Sequence, residues 1–581
     1  MPRVLIPVVR PDGYYLRSDD TEMPLTNFTA EITEDIIHDT GSNDESPERS
    51  FTLSARVEGG ETKTFTVSQD DFVKMRWVTP HLGPRAIIHS GHGRTPARVR
   101  AIIQENSRGI SERTIYNHLG WQEIDGDWVF LHAGGGIGQD GDVDDVEVQP
   151  PVGMNGVVLP DRFTNSAAVD VGCSLQFVEA APDLVTLPLY AAIWRSILGE
   201  TDFSIHICGK SGNRKTQLAC LMQQHFGPGF TDKHLAASFF DTPNALIEKA
   251  HLAKDLILVV DDYVPNSPGQ AGRSMREAAQ RLFRSMGNRS GRSRLHGAQL
   301  RRPTAPRCLL VTTGEDLPEG PSIRGRVLFI RVQEDAVRLN ALTASQEAAR
   351  DGYFASAVAH FVQWLAPRYE GLVTGLQDRI EARRVGMRRF QAHQRTPDIL
   401  ANLDIGMELF LDFAVEVGAV TSPRASELRE RLHATFPALA EMQRSIVVEA
   451  DPPARFLPLL GAAIRSGTAH VAGTRGDAPA DAAALGWTAD SASPMPCGER
   501  VGWIDGRDLY LDFEVAFGVA RRKAEESGVP LAISAVTLKK RLDDQAVLVS
   551  KDKSRETLTI RKLIEGRSRS VLHVRASSLR R

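Results

Sequence analysis

The sequence predicts a multidomain α/β protein whose centre is a parallel sheet with helices on both faces. Four short apolar runs point to it: Ser204–Cys208, Leu256–Val260, Cys308–Thr312 and Val327–Val332. None alternates, and helical segments lie between the first and the later ones. Strands buried on both faces have this continuous apolar character. One hydrophobic core rarely grows beyond roughly 250–300 residues, so a chain of 581 residues needs further domains.

The flanking segments differ in pattern. Residues 1–155 form a β-rich N-terminal domain, with alternating runs such as SFTLSARVEG and TKTFTVS between Gly, Asp and Asn turns. The stretch Gly120–Ala133 predicts a hairpin turning at Asp125-Gly126. The core spans 156–338, a helical region 339–470, a Gly/Pro/Ala/Ser-rich linker 471–500, and a last unit 501–581.

Bulk properties exclude several classes. No apolar stretch approaches the roughly 18 residues of a membrane helix. The opening MPRVLIPVVRPDGYY lacks the layout of a signal peptide. Five scattered cysteines without a CxxC pair argue against a disulfide framework or a structural zinc, and for reduced thiols in the cytoplasm. A net charge of -4 excludes a generally basic surface, so any nucleic-acid contact must be local.

The most informative segment is SIHICGKSGNRKTQLACLMQQHFG. A strand ends at Cys208, Gly209-Lys210-Ser211-Gly212-Asn213-Arg214-Lys215-Thr216 follow, and a helix with Leu218, Leu221 and Met222 comes next. Strand, glycine-bearing loop and helix are the parts of a Walker A phosphate site. Backbone N–H groups cradle phosphate oxygens and the helix N-terminus adds positive potential. Lys215 would meet the β- and γ-phosphates, and the Thr216 hydroxyl would ligate Mg²⁺. Arg214 stands where the GxxxxGK[ST] pattern has its second glycine.

Downstream, LILVVDDY ends an apolar strand in two acids, the Walker B pattern. Asp261 would hold Mg²⁺, and Asp262 takes the place of the residue that orients the attacking water. The strand CLLVTTGED ends at Thr312 and Thr313, sensor candidates for the γ-phosphate. Arg324 and Arg326 are candidates for an arginine finger given to a neighbouring subunit. Residues 272–307 carry ten arginines and one acid, Glu277. We expect Arg289, Arg292, Arg294, Arg301 and Arg302 to touch DNA phosphates, on a loop or hairpin between Gly287 and Gly297. Gly136, Gly138 and Gly141 spell GxGxxG, but no apolar helix follows, so this stretch is expected to be a flexible loop.

In the last unit, a helix ending at Gly528 and a second over Ser534–Gln545 precede the alternating runs AVLVSKD and ETLTIRKL. Two helices and a hairpin form a winged-helix pattern. Lys539, Lys540 and Arg541 would lie on the exposed side of the recognition helix, with Lys551, Lys553 and Arg555 at the wing tip.

With these parts in place, the chain resembles the helicase-like domain-of-unknown-function family 927 of phage and mobile-element proteins. The resemblance lies in the HLGW…WVFLH hairpin, the GKSGNRKT loop, and TPNALIEKAHLAKDLILVVDDY with the later VTTGED and SIRGRV. It covers roughly residues 20–340 and extends to the winged-helix tail. It implies an ATPase of the RecA/AAA+ type, assembled as a hexamer-like ring. The expectation is therefore an ATP- and Mg²⁺-dependent motor on single-stranded or forked DNA, serving a phage, plasmid or integrated element, with no membrane partner. The alternatives are a DNA-binding ATPase switch in initiation, partition or defence, and a nucleotide-binding scaffold that does not hydrolyse.

Overall fold

The computed structural model describes residues 6–18, 21–42, 47–89, 95–265, 270–289, 294–296, 299–301, 304–318, 321–390, 394–449, 451–488, 494–526, 531, 533–552 and 554–579. The N-terminal part is β-rich. A five-stranded sheet has the spatial order Glu147–Val148, Ser111–Tyr116, Phe28–Asp39, Glu48–Val57, Thr62–Ser68. Its long strands alternate between buried and exposed residues, and the helix Thr95–Asn106 covers one face with Val99, Ile102 and Ile103.

The hairpin Gly120–Ile124 with Asp127–His132 turns at Asp125 and Gly126, both with positive φ. Such φ values give the turn a twist that matches the flanking strands. The glycine stretch expected as a flexible loop extends this hairpin instead. Gly136 pairs with Leu131, and Gly138 pairs with Gly141, making a four-stranded sheet. Small residues leave the backbone free to pair at close quarters.

The hairpin is fastened to the centre of the protein. Trp121 is buried, its indole N–H donates to the Ile197 carbonyl at 2.9 Å, and its ring stacks on Tyr369 at 4.4 Å. The Trp121 N–H donates to the Asp255 carboxylate at 3.1 Å. Buried Arg307 donates to the carbonyls of His251 and Thr40 at 2.8 and 2.7 Å, tying the N-terminal sheet to the core. One apolar cluster runs from Leu119 to Ile446. Apolar contacts therefore cross the divisions expected at 155/156 and 338/339.

The central sheet is parallel, with strands β1 (Ser204–Cys208), β2 (Ala237–Ser238), β3 (Ile257–Tyr263), β4 (Leu309–Gly314) and β5 (Val327–Arg331). Their spatial order is β2-β3-β4-β1-β5. Helix α1 (Asp183–Ser196) is buried from Val185 onward. Helix α2 (Lys215–Gln224) follows β1, and α3 (Pro243–Leu252) follows β2, capped by Thr242. Helix α4 (Gln270–Asn288) buries Met275, Ala279, Leu282 and Met286 and exposes Arg273, Arg281 and Arg284. Between α4 and β4, Arg294–His296 and Gln299–Arg301 pair as an antiparallel hairpin. Helices α5 (Thr396–Glu416) and α6 (Ser422–Glu449) complete the core. Between them, buried Asp404 accepts from Arg429 at 3.2 Å and His433 at 2.6 Å, so its charge is paired.

The C-terminal unit has its own apolar cluster, from Phe456 to Leu579. Helix α7 (Pro452–Arg465) leads into β6 (Ala469–Gly473), β7 (Glu499–Asp505), β8 (Asp508–Leu511), α8 (Phe513–Glu526), α9 (Ala535–Asp544), β9 (Ile560–Ile564) and β10 (Arg567–Arg575). The sheet order is β6-β7-β8-β10-β9. Strand β6 overlaps the start of the expected linker 471–500, yet it is fully buried and parallel to β7. The described residues between β6 and β7 thus belong to a connection within one sheet. The continuous hairpin is β9–β10, turning at Glu565 and Gly566, one step later than the sequence pattern places it. The expected strand AVLVSKD makes only isolated bridges because it lies along β10. There the Val549 N–H donates to the His573 carbonyl at 2.9 Å, and the Ser550 hydroxyl lies 2.7 Å from the His573 ring. Among the described residues, no helix is long and apolar enough to cross a membrane.

Gly120 tests how the hairpin joins the core. Its φ is +85°, and a Cβ there would lie 2.1 Å from the Lys254 carbonyl oxygen. Gly120→Ala should cost about 2 kcal/mol through strained backbone and forced separation. Thermal denaturation should show a lower first transition; an unchanged melt would refute this packing.

Candidate functional site

Open α/β sheets bind ligands beyond the carboxyl ends of their strands, where successive connections run to opposite sides. Strand β1 is that point here. Its outgoing chain crosses through α2 to the edge strand β2, while β5 lies on its other side. Because β4 stands between β1 and β3, the start of α2 faces the end of β3 across the tip of β4.

The side chains meet there. Thr216 Oγ1 donates to Asp261 Oδ1 at 3.1 Å, and the Thr313 hydroxyl donates to the same oxygen. The Asp262 N–H donates to Thr313 Oγ1 at 3.3 Å. Lys215 is buried, and its Nζ donates to the Lys210 carbonyl at 2.8 Å. Ser211, Gly212, Arg214, Lys215, Thr216, Asp261, Asp262 and Thr313 all line one cleft of about 570 Å³. Gly209, Lys210 and Asn213 line a second cavity that shares Glu315 with this cleft. Asn213 holds the loop by donating to the Val332 carbonyl at 2.8 Å. Lys210 pairs with Glu334 at 3.1 Å in the open, where such a pair contributes little.

The backbone carries strain at two of these positions. Arg214, which caps α2, has φ 63° and ψ 20°, the left-handed conformation that glycine adopts freely. Asp262 has φ 67° at a bulge that shifts the β3–β4 register. Non-glycine residues in this region concentrate at functional sites. Gly212, with φ +86°, turns the loop two residues before Arg214.

Charge is concentrated in the cleft. Burial lowers the Lys215 pKa, opposed by Glu315, Cys208, Asp261 and Asp262. Burial raises the Asp262 pKa, and the neighbouring charges of Asp261 and Glu315 raise it further against Lys215. A lysine facing several carboxylates at a helix N-terminus suits a polyanion brought in with a divalent cation.

The other candidates lie elsewhere. Arg324 and Arg326 precede β5, whose start pairs with the start of β1 at the end of the sheet away from the cleft. Arg324 donates to the Pro318 and Ile446 carbonyls at 2.8 and 3.0 Å, and Arg326 donates to Asn288 at 2.8 Å. Arg289 is ion-paired with Glu200. The backbones of Arg294 and Arg301 sit opposite each other in the hairpin. Arg292, Arg302 and Lys553 lie outside the described residues. On α9, Lys540 is exposed, Lys539 pairs with Glu514 at 3.3 Å, and Arg541 approaches Asp451 at 3.8 Å. Lys551 pairs with Asp543 at 2.8 Å, and Arg555 is exposed.

Sequence reasoning missed Glu315, Gln217 and Asp232, which also line the cleft, and His206 behind it. The signal for Glu315 was its place directly after the strand tip in VTTGED. For His206 it was a histidine inside the apolar run SIHIC.

No protein-family model matches the chain, and no curated protein matches it. The resemblance to family 927 therefore rests on its three stretches. Among solved structures, the chain is similar to SCCmec type IV Cch, an active helicase, with a TM-score of 0.54 and 11% identity over 99% of each chain. At that identity the likeness is one of fold. The chain is thus a mixed α/β multidomain protein sharing its overall architecture with a helicase.

The left-handed residue in the loop yields a test. Its conformation costs about 1 kcal/mol for a residue with a Cβ. Arg214→Gly should therefore melt at a higher temperature than Arg214→Ala, since both lose the guanidinium and only one loses the Cβ. Equal melting temperatures would show that the strain is absent.

Proposed function

We propose that the chain is an ATP-dependent DNA motor of the helicase kind, acting in replication or mobilisation of a phage, plasmid or integrated element. One observation carries the reading: Lys215 and Thr216 open a helix at one cleft with Asp261, and Thr216 and Asp261 are 3.1 Å apart.

In this reading ATP lies along the loop from Gly209 to Thr216. Lys215 meets its terminal phosphates as a point charge. A hydroxyl and a carboxylate are hard oxygen ligands, so Thr216 and Asp261 fit Mg²⁺. The bound ion would neutralise charge developing on the transferred phosphoryl group. Asp262 orients the attacking water, its raised pKa adapting it to accept a proton. Thr313 holds Asp261 and Asp262 in register. Arg324 or Arg326 would act on the site of a neighbouring subunit, which calls for a ring. The hairpin with Arg294 and Arg301 and the exposed face of α9 with Lys540 and Arg541 would meet DNA phosphates.

ATPase turnover with and without single-stranded DNA tests this reading. Turnover should rise with DNA, and Lys215→Ala should lose about 100-fold or more, the scale of removing a group that stabilises developing charge. A Lys215→Ala variant as active as the parent would exclude the assignment. Strand displacement driven by ATP separates a helicase from a DNA-binding switch.

A second measurement addresses the hairpin. Each phosphate contact to a single strand contributes roughly 0.7 to the slope of log affinity against log salt. Arg294→Ala with Arg301→Ala should lower that slope by about 1.4 on the same counterion argument. An unchanged slope would remove the hairpin from the DNA path.

A further inference from the structure

His206 lies in the middle of β1, fully buried behind the cleft. Both ring nitrogens are engaged. Nδ1 is 2.8 Å from Thr312 Oγ1, and Nε2 is 2.9 Å from the Asp316 carbonyl oxygen. A carbonyl can only accept, so Nε2 carries the proton and donates. Burial pushes the His206 pKa down to about 4, so the ring is neutral near pH 7 and Nδ1 accepts from the Thr312 hydroxyl. Tyr263 and Phe329 meet the ring edge-on at 6.1 and 5.9 Å and fix its plane.

These bonds have two effects. Thr312 is committed to His206, which leaves Thr313 as the hydroxyl presented at the tip of β4. Strand β4 ends at Gly314, so the turn beyond it has no ladder to hold it. The His206–Asp316 bond holds that turn from the neighbouring strand. Glu315, inside the turn, lines the cleft, and after burial it is the strongest influence on the Lys215 pKa.

We propose that His206 is a positioning residue for hydrolysis, latching the turn after β4 so that Thr313 and Glu315 keep their places at the nucleotide. The proposal rests on the ATPase reading above. It predicts a defect in kcat, because the phosphate loop that binds ATP belongs to other hydrogen bonds.

His206→Asn is too short to reach Asp316, whereas the longer amide of His206→Gln can still donate to that carbonyl. DNA-stimulated ATPase kinetics and amide hydrogen exchange over residues 312–318 should be read on the full chain. In His206→Asn, kcat should fall about 10- to 100-fold, the scale of a small misplacement at a reacting centre, and KM should stay within about twofold. Exchange over 312–318 should quicken. In His206→Gln, kcat should return to within about threefold of the parent on the same positioning argument. Parental kcat in His206→Asn, or unchanged exchange in that segment, would overturn the latch. So would equal losses in both variants together with a lower melting temperature, which would make His206 a core residue only. A parent without Lys215-dependent turnover would overturn the ATPase reading and this catalytic role with it. A silent His206→Asn in an active parent overturns the latch alone.

Discussion

The cleft depends on the placement of β4 between β1 and β3. This order sets the helix that starts at Lys215 one strand away from Asp261, close enough for the Thr216 hydroxyl to reach its carboxylate. It also gives the intervening strand a single task at its tip, where Thr313 donates to Asp261 and accepts from the Asp262 N–H. Without that strand between them, the loop and the acids would be two unrelated features. The sheet can carry this concentration of charge at one edge because its strands are buried and close-packed, so they do not shift to relieve the repulsion.

The wider molecule shows how positive charge is rationed in a chain with net charge -4. Several arginines that look like a single basic surface in sequence are already occupied. Arg307 holds backbone carbonyls of two segments, Arg289 pairs with Glu200, and Arg276 donates to the Pro265 carbonyl. Those left outward are sorted by the helical period onto one side of α4, opposite its buried Met275–Met286 face. A near-neutral protein can in this way present a local cationic stripe without becoming a general polyanion binder.

Much of the cleft was legible because its parts are contiguous. A strand, a loop with glycines and a helix stand side by side in the chain, and an apolar run closing on Asp261 and Asp262 announces a strand with acids at its end. The turn at Asp125-Gly126 was legible for the same reason. Glu315 and His206 were harder to see, because their places beside the cleft follow from strand order. The acceptor of His206 lies 110 residues further on, and no local pattern links the two. The burial of Trp121 against Tyr369 is likewise a long-range contact, so the N-terminal boundary drawn from composition does not follow the core. Strand β6 was hidden by its composition. Ala469–Gly473 has small residues that suggest a loop, but under cover of α7 they suit a fully buried strand.

The hairpin formed by Arg294–His296 and Gln299–Arg301 leaves the core between two fixed points. Its outgoing end is tied where Arg326 and Arg395 meet the Gly287 carbonyl, and its returning end where Arg307 is bonded on three sides. Loop-closure entropy changes slowly with length, so a connection between such fixed points tolerates added or deleted residues. The length of this connection can therefore vary while the spacing of Asp261 and Thr313 stays constant.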